Sequence, residues 1–208
     1  MKNCVIFCAG DFRRLAEPLV ETDFVIAADG GLKHLSFLGV QPDAVLGDFD
    51  SLGYVPEGAR VYPVEKDDTD AMLAIRLGLE QGCDRFMIYG GLDGDRVDHT
   101  VANFQALRFL EQRNARGYLL GLTQAATVIE NRRITFPQNQ RGILSVFCMG
   151  DRARGVTLRG LKYNLEDGTL EGGLPLGVSN QFVGEKAEIS VKNGCLLLIW
   201  QREWLDIR

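Results

Sequence analysis

The sequence predicts two folded parts, an open and mostly parallel α/β sheet over residues 1–126 and a small β-sandwich over 127–208. Three observations predict this. Strand and helix patterns alternate up to about residue 125, which argues for helices packed on an open sheet. The strands there are continuous apolar runs rather than alternating ones, as expected of a parallel sheet buried on both faces. From about residue 127, short strand patterns follow one another between glycine, asparagine and aspartate turns, with no ten-residue helical pattern until the last few positions.

In the first part, Cys4–Ala9, Phe24–Ala28, Ala44–Leu46, Val61–Val64, Phe86–Tyr89 and Tyr118–Leu122 read as strands. Helical patterns cover Ala71–Gln81, closed by Gly82, and Thr100–Gln112, with Val101, Phe104, Leu107 and Leu110 along one side. In the second part, "TVIENRRITF", "GILSVFCMG", "GVTLRG", "KYNLEDGTLEGG" and "AEISVKNGCLLLIW" read as strands and turns of a sandwich. The Asn-Gly pair inside "VKNGCLL" predicts a hairpin. No flexible linker separates the two parts, so they are expected to pack together.

The chain has 208 residues, 46% hydrophobic and 25% charged, the profile of an ordinary globular protein. A net charge of −5 without a basic tract argues against nucleic acid or an anionic membrane surface as partner. No apolar stretch reaches the ~18 residues of a membrane span. A strand pattern that begins at Cys4 leaves no room for a signal peptide, so a cytoplasmic protein is expected. Five cysteines without metal spacing read as reduced, structural thiols.

Function is carried by four acidic or glycine-rich loops that each follow a strand: "AADGG" (27–31), "GDFDS" (47–51), "KDDTD" (66–70) and "GGLDGDRVDH" (90–99). In open α/β sheets, ligands bind beyond the carboxyl ends of the strands, so all four loops are expected at one sheet edge. On extended backbone, Asp48 and Asp50 point the same way and Phe49 the other. Two like charges so placed repel unless a cation sits between them. Oxygen ligands suit a hard cation such as Mg²⁺, which completes its shell with water and phosphate oxygens. The bland alternative makes both aspartates turn residues. Thr69 or Asp70 stands where a helix N-cap belongs, and a helix N-terminus also receives phosphate. Lys66 can pair with phosphate or with Asp67. Arg96 is a natural phosphate fork, and Asp98 opens the next helix and can cap it. Asp93, Asp95 and Asp98 superficially suggest calcium, but the glycine and terminal glutamate of an EF-hand loop are missing. His99 and His34 are the two histidines, and each also has a purely structural reading.

Several chemistries are excluded. There is no P-loop, no dinucleotide fingerprint after the first strand, no nucleophile elbow and no zinc spacing. Aspartates, glycines and an arginine around a magnesium–phosphate site point to phosphoryl-type transfer, in which positioning and electrostatics carry the catalysis.

Taken with "GVSNQF" (177–182), these loops resemble, in order and spacing and over nearly the whole chain, the thiamine pyrophosphokinases. The resemblance implies transfer of the pyrophosphoryl group of ATP to the hydroxyl of thiamine, giving thiamine diphosphate and AMP. It implies a homodimer, with each thiamine site formed between one subunit's β domain and the other's α/β domain. By motif, Asp48 and Asp50 correspond to Mg²⁺ ligands with Asp70 beside them. Asp29, Gly30, Gly31, Ser51, Thr69, Arg96 and His99 correspond to the nucleotide and phosphate cradle, with Lys66 beside it. Ser179 and Asn180 correspond to the thiamine-contacting pair, and Asp98 to a group near the substrate hydroxyl or the thiamine ring. Family members often place a tryptophan near the Ser-Asn pair, where this chain carries Phe182; Trp200 and Trp204 stand near its end. Two other readings stay open at the level of sequence. One is a magnesium-dependent transferase acting on a different alcohol or a pterin-like substrate. The other is a non-catalytic nucleotide sensor.

Overall fold

The computed structural model describes residues 2–50, 52–65 and 67–202. The chain divides into two units, Met1–Leu122 and Thr123–Arg208.

In the first unit the apolar runs become β1 (Asn3–Phe7), β2 (Phe24–Ala28), β3 (Ala44–Gly47), β4 (Arg60–Val61), β5 (Arg85–Tyr89) and β6 (Arg116–Leu120). They pair in parallel throughout, in the order β6-β5-β1-β2-β3-β4. Cys4, Val5, Ile6 and Phe7 of β1 are wholly buried, which is why the strand is apolar at every position. The strand expected over Val61–Val64 shrinks to Arg60–Val61, and both Val61 and Val64 are exposed. Pro63 has no N–H to continue the ladder.

Among the described residues three helices accompany the sheet. A short 3-10 turn (Asp29–Gly31) leads into α1 (Leu32–Leu38), which ends on Gly39 at φ 67°. The sequence reading lacks this helix, since two turns give too little periodicity to detect. Next comes α2 (Asp70–Glu80), whose N-cap is Thr69, its hydroxyl accepting from the Met72 N–H at 3.2 Å. Last is α3 (Val97–Glu111). Its buried face is Asn103, Ala106, Leu107 and Leu110, whereas Val101, expected on that face, is exposed. A polar residue inside the stripe misled the pattern. The amide of Asn103 donates to the Gly91 carbonyl at 2.7 Å, which offsets its burial.

The second unit holds eight strands: β7 (Gln124–Glu130), β8 (Arg133–Phe136), β9 (Ile143–Cys148), β10 (Arg152–Arg159), β11 (Leu165–Glu171), β12 (Gly177–Gln181), β13 (Ala187–Ser190) and β14 (Cys195–Gln201). They form two antiparallel layers, β12-β9-β14-β7 and β11-β10-β13-β8. Rings from the two layers meet in the core: Phe136 of β8 lies 5.3 Å from Trp200 of β14 and 5.1 Å from Phe182. The division of the chain lies just before β7, so the expected break at 126/127 falls within an unbroken strand.

The hairpin expected at Asn193-Gly194 does not form. β13 and β14 belong to different layers, and the turn carries the chain from one to the other. Asn193 pairs instead with the backbone of Arg154 in β10. Gly194, at φ 125°, lies where a side chain would meet the Ala153 backbone at 2.8 Å. Here glycine serves a close approach rather than a tight turn.

All five cysteines are free thiols, four of them buried. Among the described residues no helix is long and apolar enough to cross a membrane.

Candidate functional site

In the first unit β1 lies between β2 and β5, so the strand order reverses between β1 and β5. Ligands of open sheets bind at such a point, beyond the carboxyl ends of the strands. A cleft of about 440 Å³ opens there, lined among others by Gly10, Asp11, Asp29, Thr69, Asp70, Gly90, Asp95, Arg96 and His99. Three of the four acidic loops therefore contribute to one cleft.

The fourth loop meets the first beside it. Carboxylate oxygens of Asp29, Asp48 and Asp50 all lie within 4.8 Å of one another. At that separation each pair repels by roughly 3–4 kcal/mol for an effective dielectric of about 20. The donor set is all oxygen, which fits a hard divalent cation and not a thiol- or imidazole-seeking metal. Asp29, expected in the nucleotide cradle, thus joins the metal-type cluster, while Asp70 lines the cleft outside it.

Backbone geometry builds this cluster. Asp48–Asp50 is not extended, as expected from sequence, but a turn with Phe49 at φ 60°. The Asp48 carboxylate accepts from the Asp50 N–H at 3.3 Å, and the Phe49 carbonyl from Leu52 and Gly53 at 3.2 Å. A bulky residue in the left-handed region costs on the order of 1–3 kcal/mol. Burial of the Phe49 ring, 2% exposed, offsets it. Asp29 is likewise left-handed, at φ 48°. Gly30 and Gly31 are buried, and any side chain on Gly31 would run into the Phe7 carbonyl of β1. They hold the turn that carries Asp29 against the sheet.

Thr69 spends its hydroxyl on capping α2. Asp70 acts on Cys8, whose thiol is pushed up to about 12, mainly by burial and then by this carboxylate. Arg96 forks onto Asp98, Nε to Oδ1 at 2.9 Å and one terminal nitrogen to Oδ2 at 2.7 Å. The guanidinium holds the Asp98 carboxyl down at about 2, and Asp98 lies inside the first turn of α3 rather than at its N-cap, which is Arg96. Asp93 accepts from the Leu122 N–H at 2.6 Å, which ties the loop after β5 to the end of β6. The calcium-like spacing is thereby resolved into an ion pair and a structural clamp.

In the second unit, Ser179 is exposed at φ 61° and its N–H donates to the Ser145 hydroxyl at 3.1 Å. Asn180 is 4% exposed and is consumed by structure. Its carbonyl oxygen accepts from the N–H groups of Tyr163 at 3.0 Å and Gln181 at 2.9 Å, and its amide donates to the Tyr163 carbonyl at 2.7 Å. Phe182 is buried in the sandwich core, so it offers no face to a ring, and Trp200 is buried beside it. Tyr163, which Asn180 fixes, is the exposed aromatic of this region. Ser51, Lys66 and Trp204 lie outside the described residues.

Sequence reasoning missed the loop after β1, "CAGDF" (8–12), although an Ala-Gly-Asp step at the end of the first strand is itself a signal. Gly10 and Asp11 line the cleft, and the Gly10 N–H donates to the Gly90 carbonyl at 3.1 Å.

Residues 15–119 match the thiamin pyrophosphokinase catalytic domain, and residues 131–196 match the thiamin pyrophosphokinase vitamin B1 binding domain. The chain is 28% identical over 190 residues to a thiamine pyrophosphokinase of Bacillus subtilis, covering 84% of this chain and 85% of the relative. It is 25% identical over 201 residues to thiamin pyrophosphokinase 1 of Caenorhabditis elegans, covering 86% and 80%. The crystal structure of thiamine pyrophosphokinase from Bacillus subtilis superposes with a TM-score of 0.86 at 24% identity, over 97% of this chain and all of that one. Yeast thiamin pyrophosphokinase shares the fold at a TM-score of 0.73 and 15% identity, over 97% and 86%.

Proposed function

The chain belongs to the thiamin pyrophosphokinase family, and from that premise we propose that it transfers the pyrophosphoryl group of Mg-ATP to the hydroxyl of thiamine. The products are thiamine diphosphate and AMP. The observation that carries the chemistry is the convergence of Asp29, Asp48 and Asp50 beside a glycine-lined cleft at the switch point of a parallel sheet.

Asp48 and Asp50 would hold a magnesium ion, with Asp29 completing the oxygen set and Asp70 facing the cleft. Bound there, the ion offsets the repulsion among the carboxylates and neutralises phosphate charge. The N-terminus of α2, behind Thr69 and Asp70, offers backbone N–H groups to phosphate oxygens. Arg96 is a second anion partner, which a phosphate must win from Asp98. His99 lines the same cleft. In the reaction the thiamine hydroxyl oxygen bonds to the β-phosphorus, the bridge from that phosphorus to the α-phosphate breaks, and the hydroxyl proton leaves. Thiamine contacts come from Ser179 of the second unit. The protein works in the cytoplasm as a homodimer with sites shared between subunits, and needs neither nucleic acid nor membrane.

The test is chromatography of a mixture of protein, ATP, Mg²⁺ and thiamine. AMP and thiamine diphosphate should appear in equal amounts, without ADP. ADP as the main nucleotide would place the protein among ordinary kinases, and no turnover of thiamine would leave the acidic cluster without this role.

A further inference from the structure

The wall of the cleft beside β1 is made of backbone. Residues 8–23 join β1 to β2 without helix or strand, and Cys8–Asp11 face the cleft. A connection of that length holds its shape only through specific ties. The Cys8 N–H donates to the Tyr89 carbonyl at 2.8 Å, and the Ala16 N–H to the Tyr89 hydroxyl at 2.8 Å. The Phe12 ring stands edge-on to Phe7 and to Tyr89, at 5.3 and 5.5 Å. Gly10 is fixed on both sides. Its N–H goes to Gly90, and its carbonyl accepts from His34 Nε2 at 2.8 Å. A side chain on Gly10 would come within 2.5 Å of the Gly90 carbonyl, so the two loops meet backbone to backbone.

His34 belongs to α1, which continues directly from the turn that carries Asp29. Its ring also packs on Phe12, 5.3 Å away. A carbonyl can only accept, so Nε2 of His34 carries the proton. This one bond ties the element behind the acidic cluster to the loop of β1, and through Gly10 to the loop of β5.

We propose that His34 is a positioning residue for the nucleotide: by donating to the Gly10 carbonyl it fixes the backbone wall against which the phosphate chain of a nucleoside triphosphate binds. The role rests on the reading of the cleft as the nucleotide site. His34 is not among the residues that line the cleft, so its loss should loosen nucleotide binding and spare both the chemical step and the thiamine contacts.

Two variants separate the bond from the packing. His34→Phe keeps a ring against Phe12 and removes the donor; His34→Gln keeps an N–H donor. A neutral hydrogen bond contributes about 1 kcal/mol, so KM for Mg-ATP should rise about five- to tenfold in His34→Phe. Its kcat and thiamine KM should stay within about twofold of wild type. Calorimetric binding of a non-hydrolysable ATP analogue should weaken by the same factor, and His34→Gln should recover most of it. Amide exchange of the Gly10–Asp11 segment should quicken in His34→Phe while that of β1 does not. Wild-type analogue affinity in a folded His34→Phe protein would overturn the proposal. So would a loss that glutamine does not restore, or one in which kcat falls and both KM values rise together. A wild-type protein that binds no ATP analogue, by contrast, would sink the reading of the cleft itself and this role with it.

Discussion

Gly47 is glycine because Asp29 occupies the space a side chain would need. A methyl group there would sit 3.1 Å from both Cα and Cβ of Asp29, and the backbone stands at φ 150°, where L residues are strained. Gly47→Ala therefore pushes Asp29 away from Asp48 and Asp50, on top of a backbone cost of ~1–3 kcal/mol. The expected result is a several-fold fall in kcat with the fold retained, because Asp29 must give by a few tenths of an ångström and rates fall steeply with misplacement of a positioning group. Steady-state kinetics beside a thermal melt checks it, and a Gly47→Ala enzyme with wild-type kcat would show that Asp29 is no part of the working cluster. The neighbouring pair, Asp48 and Asp50, was readable from sequence as two carboxylates after a strand. Phe49 in the left-handed region was not, since nothing in a phenylalanine announces a positive φ; only its burial in the folded chain offsets the strain.

At the scale of elements, apolar runs specify the parallel strands well, because a strand buried on both faces has no polar positions to confuse its length. Elements defined by a partner are harder to read. α1 is too short to show a period, and the face of α3 is turned by Asn103, whose burial depends on the Gly91 carbonyl. The Asn-Gly pair at 193–194 has the composition of a hairpin, yet the layers claim its two flanking strands separately. In β12 the same logic splits a motif. Ser179 and Asn180 look alike in sequence, but one is exposed and the other inward, because the left-handed Ser179 (φ 61°) stands at a register shift in the ladder of β12. Asn180→Ala would leave both backbone groups of Tyr163 and the Gln181 N–H without their partner, all in a part-buried setting. We expect it to destabilise the protein by about 2–4 kcal/mol. Ser179→Ala should leave stability within ~0.5 kcal/mol, as exposed substitutions do. Denaturant midpoints of the two variants measure this. Equal midpoints would mean that Asn180 contributes through ligand contact rather than through the Tyr163 loop.

At the scale of the molecule, chemistry is divided between the units. The one group of converging carboxylates among the described residues lies in the first unit, and the exposed Ser179 lies in the second. On the proposed reading a complete site draws on both, and the proposed dimer would supply them from different subunits. That arrangement makes a quantitative demand. On that proposal an Asp50→Ala chain and a Ser179→Ala chain should each be nearly inactive, since every site in either homodimer would carry one defect. In a mixed twofold dimer, one site combines both defects and the other combines neither. Random reassortment of equal amounts makes about half the dimers mixed, and one site in two is then intact, so about a quarter of wild-type activity should return. The experiment is to co-refold the two variants, confirm mixed dimers by mass spectrometry and assay AMP release. Recovery near that fraction requires each site to draw on two subunits. Mixed dimers that stay as inactive as their parents would mean that each chain completes its own site, and the acidic cluster would then have to meet Ser179 of the same chain.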